Sequence, residues 1–384
     1  FAMLNAMARS LNHVGHDLLL SYDNRIGPQF LPSAKQAEPV HDESSWNNAI
    51  ETLSDSADLG LIIAPEDDGV LVDVLQRTRK RGLEVVSPDT ETVAYCSDKI
   101  NCAGLFEELS LPVPKMIFGT INDLLNDYQE LKFPVVLKPA ISSGATCMFV
   151  ANDVGSLLQI AHRPEVEGKL ASFILQEYVD GVHSSVSLLT NNGKSHVLSV
   201  NRQNISVGAS EANPGYHGGE SPFDHPAAKK ATTYARKIVS SLSNLMGYIG
   251  IDFVLKGEEA YPMEINPRLT VSALGLERTM GPKGLSSIIE CASGLPKKPP
   301  VARGYSLFEE YIDIRQGPKP YSHVDDYARV MIIPGVSSPP IPLPDGTTLI
   351  RPYICGWGES RSAARDNLGS IKRSVDERLE GIAS

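Results

Sequence analysis

An α/β unit followed by two α+β lobes and a C-terminal extension is the fold that the sequence predicts. Three features predict it. Short apolar runs alternate with helical patterns over the first hundred residues. After Ser97 that rhythm gives way to strands separated by polar loops. Two further strands flank Lys256-Gly257-Glu258-Glu259 and read as a hairpin with acids on one face. At 384 residues the chain is long enough for about two to four packed units. The expected boundaries are 1–96 for the α/β unit, 97–170 for a small lobe, 171–300 for a large lobe carrying the hairpin, and 301–384 for the extension.

The elements follow in order. The opening Phe1-Ala2-Met3-Leu4-Asn5-Ala6-Met7-Ala8 lacks the basic start of a secretory signal. It reads as the middle of an amphipathic helix running to the turn at Val14-Gly15-His16, so the chain is expected to begin one element late, without a first strand. Residues 17–22, 59–64 and 84–87 read as strands, with a helix over 68–81, a βαβ rhythm that implies a parallel sheet. No GxGxxG accompanies it, so a dinucleotide fingerprint is absent. Ser97 reads as the N-cap of the next helix, and Leu111-Pro112-Val113-Pro114 ends that unit. Strands at 135–138 and 147–150 enclose a polar loop, giving the small lobe. Strands near 173–178, 184–189 and 196–201 and a helix over 226–245 belong to the large one. Leu295-Pro296-Lys297-Lys298-Pro299-Pro300 marks a boundary, and beyond it lie Pro-rich loops and a charged helix near 362–381.

Composition narrows the partners. A formal charge of −11 argues against nucleic acid or an anionic membrane as the main partner, and no apolar run approaches the ~20 residues that span a bilayer. The five cysteines are odd in number and show no CxxC, which suits free thiols in a reducing cytoplasm. Neither nucleic acid nor a membrane is therefore expected as a partner, and a homodimer is allowed for.

The hairpin carries the chemistry. Centred on Glu258, it sets Asp252 opposite Glu264, and cross-strand partners have Cβ atoms only ~4.5–5.5 Å apart. Glu264 and Asn266 share a strand face, ~7 Å between Cα atoms, and Arg268 continues the alternation. Two carboxylates and an amide oxygen are a partial hard-oxygen set, as magnesium prefers, with manganese an alternative. A carboxylate pair that close requires a cation or a shared proton. Arg268 is placed to make charge-assisted bonds to phosphate oxygens. Ile251, Phe253, Met263 and Ile265 put an apolar face on the other side, which weighs against a merely solvated hairpin.

Lys138 ends the apolar run Phe133-Pro134-Val135-Val136-Leu137, where a buried lysine needs an anion. Lys99 stands at a helix start in Ser97-Asp98-Lys99. Taken alone, either lysine suits a surface. Ser142-Ser143-Gly144-Ala145-Thr146 is small and polar enough to fold over a triphosphate through backbone N–H groups. Phe173-Ile174-Leu175-Gln176-Glu177-Tyr178-Val179-Asp180-Gly181 reads as an interlobe hinge whose backbone could meet an adenine edge.

In this order the segments DK, VVLKP, QEYVDG and MEINPR resemble the ATP-grasp superfamily, over roughly residues 2 to 294. The resemblance implies the ATP-grasp fold, with a Rossmann-like pre-ATP-grasp domain ahead of two lobes that clamp ATP. It implies that Lys99 and Lys138 hold the phosphates under a loop including Ser142, Ser143 and Gly144. It further implies that Gln176, Glu177, Tyr178 and Val179 border the adenine, and that Asp252, Glu264 and Asn266 bind magnesium. Arg268, with Lys138, then steadies the transferring phosphoryl group. His183 stands where many relatives place an acid on the ribose. No GxxxxGK[ST] is present, which tells against a P-loop kinase. Ala2-Met3-Leu4, Ala64-Pro65-Glu66-Asp67-Asp68-Gly69 and Asn201-Arg202-Gln203 look most like archaeal and methylotroph ligases of the superfamily.

The activity implied is a carboxylate–amine ligase working through an acyl-phosphate, with 142–146 as the lid that excludes water. Arg202 is the expected clamp on a substrate carboxylate, equally readable as a surface ion pair. Tyr216, His217, Gly218 and Gly219, in a polar loop ending Glu220-Ser221, are further substrate candidates, and Glu66 is the candidate for the amine. His217, Asp224 and His225 are irregularly spaced and read as turn residues rather than a metal site. The competing activities are a carboxylase that phosphorylates bicarbonate and a non-catalytic subunit that senses Mg·ATP.

Overall fold

A computed structural model describes residues 1–142, 147–167, 172–207, 215–316, 324–339, 341–342, 347–350 and 352–383. Helix α1 (Ala2–His13) buries Ala2, Ala6 and Met7 along one face, the four-residue spacing of an amphipathic helix. Strand β1 (Leu19–Asp23) pairs in parallel with β2 (Gln36–Val40). Helix α2 (Glu43–Ser56) enters through a capping box on Asp42, and α3 (Val70–Lys80) follows. Asp68 and Gly69 both take positive φ (52° and 71°), which delays α3 to Val70.

The runs at 59–64 and 84–87 do not form strands. They meet only at a parallel bridge between Gly60 and Val85, and Pro65 and Pro88, which close them, cannot donate to a longer ladder. Their side chains still pack: Leu59, Leu61 and Ile63 lie against the same cluster as Leu269 and Leu274. The helix expected to start at Ser97 is two helices. Ser97 closes α4 (Thr90–Ser97), its hydroxyl donating to the Val93 carbonyl at 2.7 Å. Asp98 caps α5 (Lys99–Glu108) by accepting from the Ile100 N–H at 2.8 Å, so Lys99 opens a helix.

A four-stranded sheet of order β3-β6-β4-β5 combines β3 (Met116–Gly119), β4 (Val135–Pro139), β5 (Phe149–Ala151) and β6 (Phe173–Glu177). Helices α6 (Ile121–Asp127) and α7 (Val154–Ala161) close its core around Leu124, Val135, Leu137, Leu157 and Phe173.

The second sheet is larger. It contains β7 (Val182–Asn191), β8 (Lys194–Ser206), β9 (Gly215–Ser221), β10 (Gly247–Lys256) and β11 (Glu259–Asn266). Helix α8 (Ala228–Ser241) covers one face with Ala231, Ala235, Ile238 and Val239. Helices α9 (Ala273–Met280) and α10 (Ser287–Glu290) build another core with α1, around Met7, Leu274 and Ile288. The C-terminal stretch is woven into the same sheet. β12 (Tyr305–Glu310) pairs with β9, and β16 (Tyr353–Gly358) pairs with β12, giving the order β11-β10-β7-β8-β9-β12-β16. Strands β13 (Asp313–Gln316), β14 (Ile341–Pro342) and β15 (Thr347–Ile350) form a separate small sheet. Helices α11 (Val324–Met331) and α12 (Arg361–Ala383) complete the chain's described elements. Among the described residues no helix is long and apolar enough to cross a membrane.

Candidate functional site

The β10–β11 hairpin sets the centre of the site. Its closing pair is Lys256 with Glu259, so an unbroken ladder would bring Asp252 opposite Met263 and turn Glu264 toward the apolar core beside Ile251. A bulge between Asp252 and Phe253 adds one residue on β11 and restores the pairing of Asp252 with Glu264. Phe253 then faces Pro262, and Met263 is the extra, half-buried residue rather than a core partner of Ile265. The expected pairing is found, with a bulge as its cause.

Two lysines arrive from other elements. Lys99, first residue of α5, lies with its Nζ 3.2 Å from Glu264 Oε2 and donates to the Ser142 carbonyl at 2.7 Å and to Ser142 Oγ at 3.3 Å. Lys138, on β4, donates to Gln176 Oε1 on the neighbouring β6 at 3.1 Å. Both lysines are buried. Burial, and then the Lys99 charge, push the Lys138 ammonium down to about 8. Ser143 and Gly144 lie outside the described residues.

The electrostatics of the acids follow from this crowd. Burial works to raise the Glu264 carboxyl, but the ammonium groups of Lys99 and Lys138 outweigh it and hold Glu264 below its ordinary value. Asp252 goes the other way: burial and then the Glu264 charge drive it well above the carboxylate range, against bonds from Gln203 and Asn266. Gln203 Nε2 donates to Asp252 Oδ1 at 3.1 Å. The buried pair therefore favours positive charge, and Lys99 supplies one at 3.2 Å from Glu264. Two carboxylates and the amide of Asn266 are the hard-oxygen donors a magnesium ion takes, so these residues fit that ion. Among the described residues no group of three or more His, Cys, Asp or Glu is placed to hold a metal ion.

Around this centre the residues of the 176–183 stretch divide. Gln176 touches Lys138, whereas the Glu177 carboxylate accepts from the Lys132 N–H at 3.0 Å. The backbone N–H groups of Glu177 and Tyr178 donate to Lys115 and Pro134, both at 2.9 Å, so they are spent inside the small lobe. Val179 is half-buried where the chain passes to the large sheet. His183, at the start of β7, shares the sheet face of Ser185 and Asp252, and burial and then Lys138 lower its imidazole.

Arg268 meets a residue from the N-terminal unit. Its Nε and its terminal nitrogen both lie 2.7 Å from Glu66 Oε2, and a third nitrogen donates to the Leu269 carbonyl at 3.2 Å. Glu66 and Arg268 are both shielded, their side chains only 5% and 12% exposed, so the ion pair is an interior one. The loop carrying Arg268 is fixed from below by a buried polar chain. The Tyr248 hydroxyl bridges Ser187 Oγ at 2.7 Å and Thr270 Oγ1 at 2.8 Å, and Asn201 Nδ2 bonds Ser187 Oγ at 2.9 Å.

The expected carboxylate clamp is corrected. β8 continues through Arg202, whose Cα partners are Ser184 and Glu220, while Asn201 pairs with Ser185, the neighbour of Asp252. Alternation therefore turns Arg202 away from the β10–β11 acids, over the Phe223 ring at 5.9 Å and toward Glu220, which Arg361 also engages. Gln203, one residue on, takes the place by Asp252. The polar loop at 216–221 is also corrected, since it is strand β9. Gly218 and Gly219 have a structural reason: side chains there would press into backbone atoms of β12 and β8. His217 lies against Ser206 Oγ at 2.7 Å and Glu310. Tyr216 remains on the site side, its buried phenol raised by burial and then by Tyr353, with Asp252 contributing and Ser272 alongside. Gln203 and the Asn201–Tyr248 chain are what sequence reasoning missed. The usable signal was the absence of Gly or Pro between Val197 and Gly208, which lets the strand run on.

The chain matches the family model described as an ATP-grasp domain over residues 96–272, and the pre ATP-grasp 3 domain over residues 16–93. It is 26% identical over 242 residues to tyramine–L-glutamate ligase of Methanocaldococcus jannaschii, spanning 62% of this chain and 65% of that one. The chain thus covers slightly under two thirds of that relative's length. An L-amino acid ligase from Bacillus licheniformis shares the fold with a TM-score of 0.69 at 16% identity, over 97% of this chain and 95% of that one. N5-carboxyaminoimidazole ribonucleotide synthetase from Thermus thermophilus does so with a TM-score of 0.68 at 16% identity, over 97% and 96%. The two matches follow one another along the chain, so residues 96–272 carry an ATP-grasp domain preceded by a pre ATP-grasp 3 domain over residues 16–93.

Proposed function

We propose that this protein is an ATP- and magnesium-dependent carboxylate–amine ligase that activates its acid as an acyl-phosphate. One observation carries the reading: Lys99, Lys138, Asp252, Glu264, Asn266 and Arg268, from four parts of the chain, stand about one shielded centre. Residues 97–170 and 171–300 are read as the lobes that close on the nucleotide, and 301–384 as strands and helices added to the large lobe. Gln176, Val179 and His183 border the nucleoside.

Asp252, Glu264 and Asn266 would hold a magnesium ion, which would supply positive charge to the phosphate oxygens. Lys99 and Lys138 present ammonium donors to those oxygens, and Arg268 meets charge that develops on the transferring group. An oxygen of the substrate carboxylate bonds to the γ-phosphorus as the bond to the ADP oxygen breaks. The ammonium form of the amine first gives up one proton; the freed nitrogen lone pair then bonds to the acyl carbon, phosphate departs with the C–O electron pair, and the nitrogen gives up a second proton. Burial of both lysines and of the Glu66–Arg268 pair keeps this centre poor in water, which protects the acyl-phosphate.

The named relative makes L-glutamate and tyramine the first pair to test, and methanofuran biosynthesis in the cytoplasm the setting we read for it. The experiment is magnesium-dependent ADP release with L-glutamate, with and without tyramine, using hydroxylamine to trap acyl-phosphate and Glu264→Gln as control. Release that needs the acid and metal and disappears in the variant is the expected result. ATP binding with no turnover across a panel of acids, amines and bicarbonate would overturn the reading.

A further inference from the structure

Glu66 carries more than its ion pair requires. The side chain is only 5% exposed, and its Oε2 accepts both nitrogens that Arg268 offers. Its Oε1 is fully shielded and has no partner at full hydrogen-bonding geometry among the described residues, the residue's own backbone N–H lying near the carboxylate. An ionised carboxylate has about four acceptor sites, and a buried unmatched oxygen carries its full desolvation penalty. Something with N–H or O–H hydrogens completes it. The position is set by construction: Leu61 and Ile63 pack with Leu269 and Val271, and the segment they belong to ends by laying Glu66 over the loop that follows the metal hairpin.

We infer that Glu66 is a two-sided recognition residue, holding Arg268 through Oε2 and receiving the ammonium group of the amine substrate at Oε1. The inference rests on the ligase reading and narrows it. An anion such as bicarbonate at Oε1 would meet a carboxylate oxygen, with the charge of Glu264 also in range of Glu66, whereas a primary ammonium brings three donors and a matching charge. The site therefore selects an amine co-substrate, bound beside the guanidinium that acts on the phosphoryl group. This ties the two chemical steps to one side chain contributed by the N-terminal unit.

The test uses Glu66→Gln, which keeps an oxygen for Arg268 and replaces the free acceptor by an NH2 donor. Glu66→Ala removes both functions. Three quantities are compared with the wild type: kcat/KM across a panel of primary amines including tyramine, hydroxamate formation with hydroxylamine, and the Mg·ATP dissociation constant. Hydroxylamine is uncharged at neutral pH and needs no carboxylate to hold it. In Glu66→Gln the amine KM should rise about ten- to a hundredfold, the size of a lost bond to a charged group, and by a larger factor than any change in hydroxamate formation or in the Mg·ATP dissociation constant. In Glu66→Ala hydroxamate formation should fall as well. An unchanged amine KM in Glu66→Gln would mean that water alone completes Oε1, and would overturn the inference. So would an equal fall in amine and hydroxylamine rates, which would leave Glu66 serving Arg268 only, with the ligase reading intact. A wild type that forms no hydroxamate and shows no amine-dependent ADP release with any acid would sink the ligase reading, and this inference with it.

Discussion

The pairing of Lys99 with Glu264 can be measured by a double-mutant cycle of Lys99→Met and Glu264→Gln. The charges lie 3.2 Å apart, with side chains 8% and 25% exposed. At an effective dielectric of about 20 the gross attraction is about 5 kcal/mol. Much of that is offset by desolvation, and two further features reduce it. Lys99 keeps its bond to the Ser142 carbonyl whether or not Glu264 is present, and Lys138 remains as a second cation for Glu264. The expected coupling energy is about 1–3 kcal/mol. The single variants should be unequal. Glu264→Gln strands two buried ammonium groups and should cost about 3–5 kcal/mol, whereas Lys99→Met leaves Glu264 with Lys138 and should cost less. The assay is urea unfolding of the metal-free protein in the presence of a chelator. A coupling below about 0.5 kcal/mol, or a Lys99→Met variant less stable than Glu264→Gln, would refute the electrostatic account of the site.

Two other outcomes follow from the same packing. Lys138, pushed down to about 8, loses its charge as pH rises through that value, so nucleotide affinity should weaken between about pH 7 and 9. In Lys138→Arg, which stays charged, equilibrium titration with ADP should be flat over that range, and a parallel decline in both proteins would assign the effect elsewhere. Gly218 has φ +128°, and a Cβ there would lie 2.7 Å from Glu309 Cα and against the Phe308 carbonyl. Gly218→Ala should therefore cost about 3 kcal/mol in urea unfolding, and wild-type stability would show that β9 and β12 are not packed as described.

Much of the site was legible because its signals are local. A lysine ending an apolar strand and acids alternating with apolar residues each need only a few neighbouring positions to read. What was not legible depends on phase or on distance. Ending β8 at residue 201 left Arg202 looking like a loop clamp, and one more strand residue sends it to the other face. Ser97 and Asp98 are both good caps, and only the backbone decides between them. The Glu66–Arg268 pair joins residues 202 apart, for which no spacing rule exists. β12 and β16 are short and separated by Pro-rich segments, so their place in the large sheet carries no periodic signature. The bulge does leave a trace, since the buried positions of β11 run Ala260, Pro262, Ile265, a step of two and then of three.

That step has a bearing on how the chain folds. A hairpin zipped from its tight turn without the bulge would carry the Glu264 carboxylate into the space that Ile251 and Ile265 fill. Such a register is heavily penalised, because an ionised group would enter an apolar core with no counter-charge. The residue read as a metal ligand thus also acts as a proofreader of strand alignment. The native hairpin is the alignment in which the acid stays out of the oil, before any nucleotide or metal is bound.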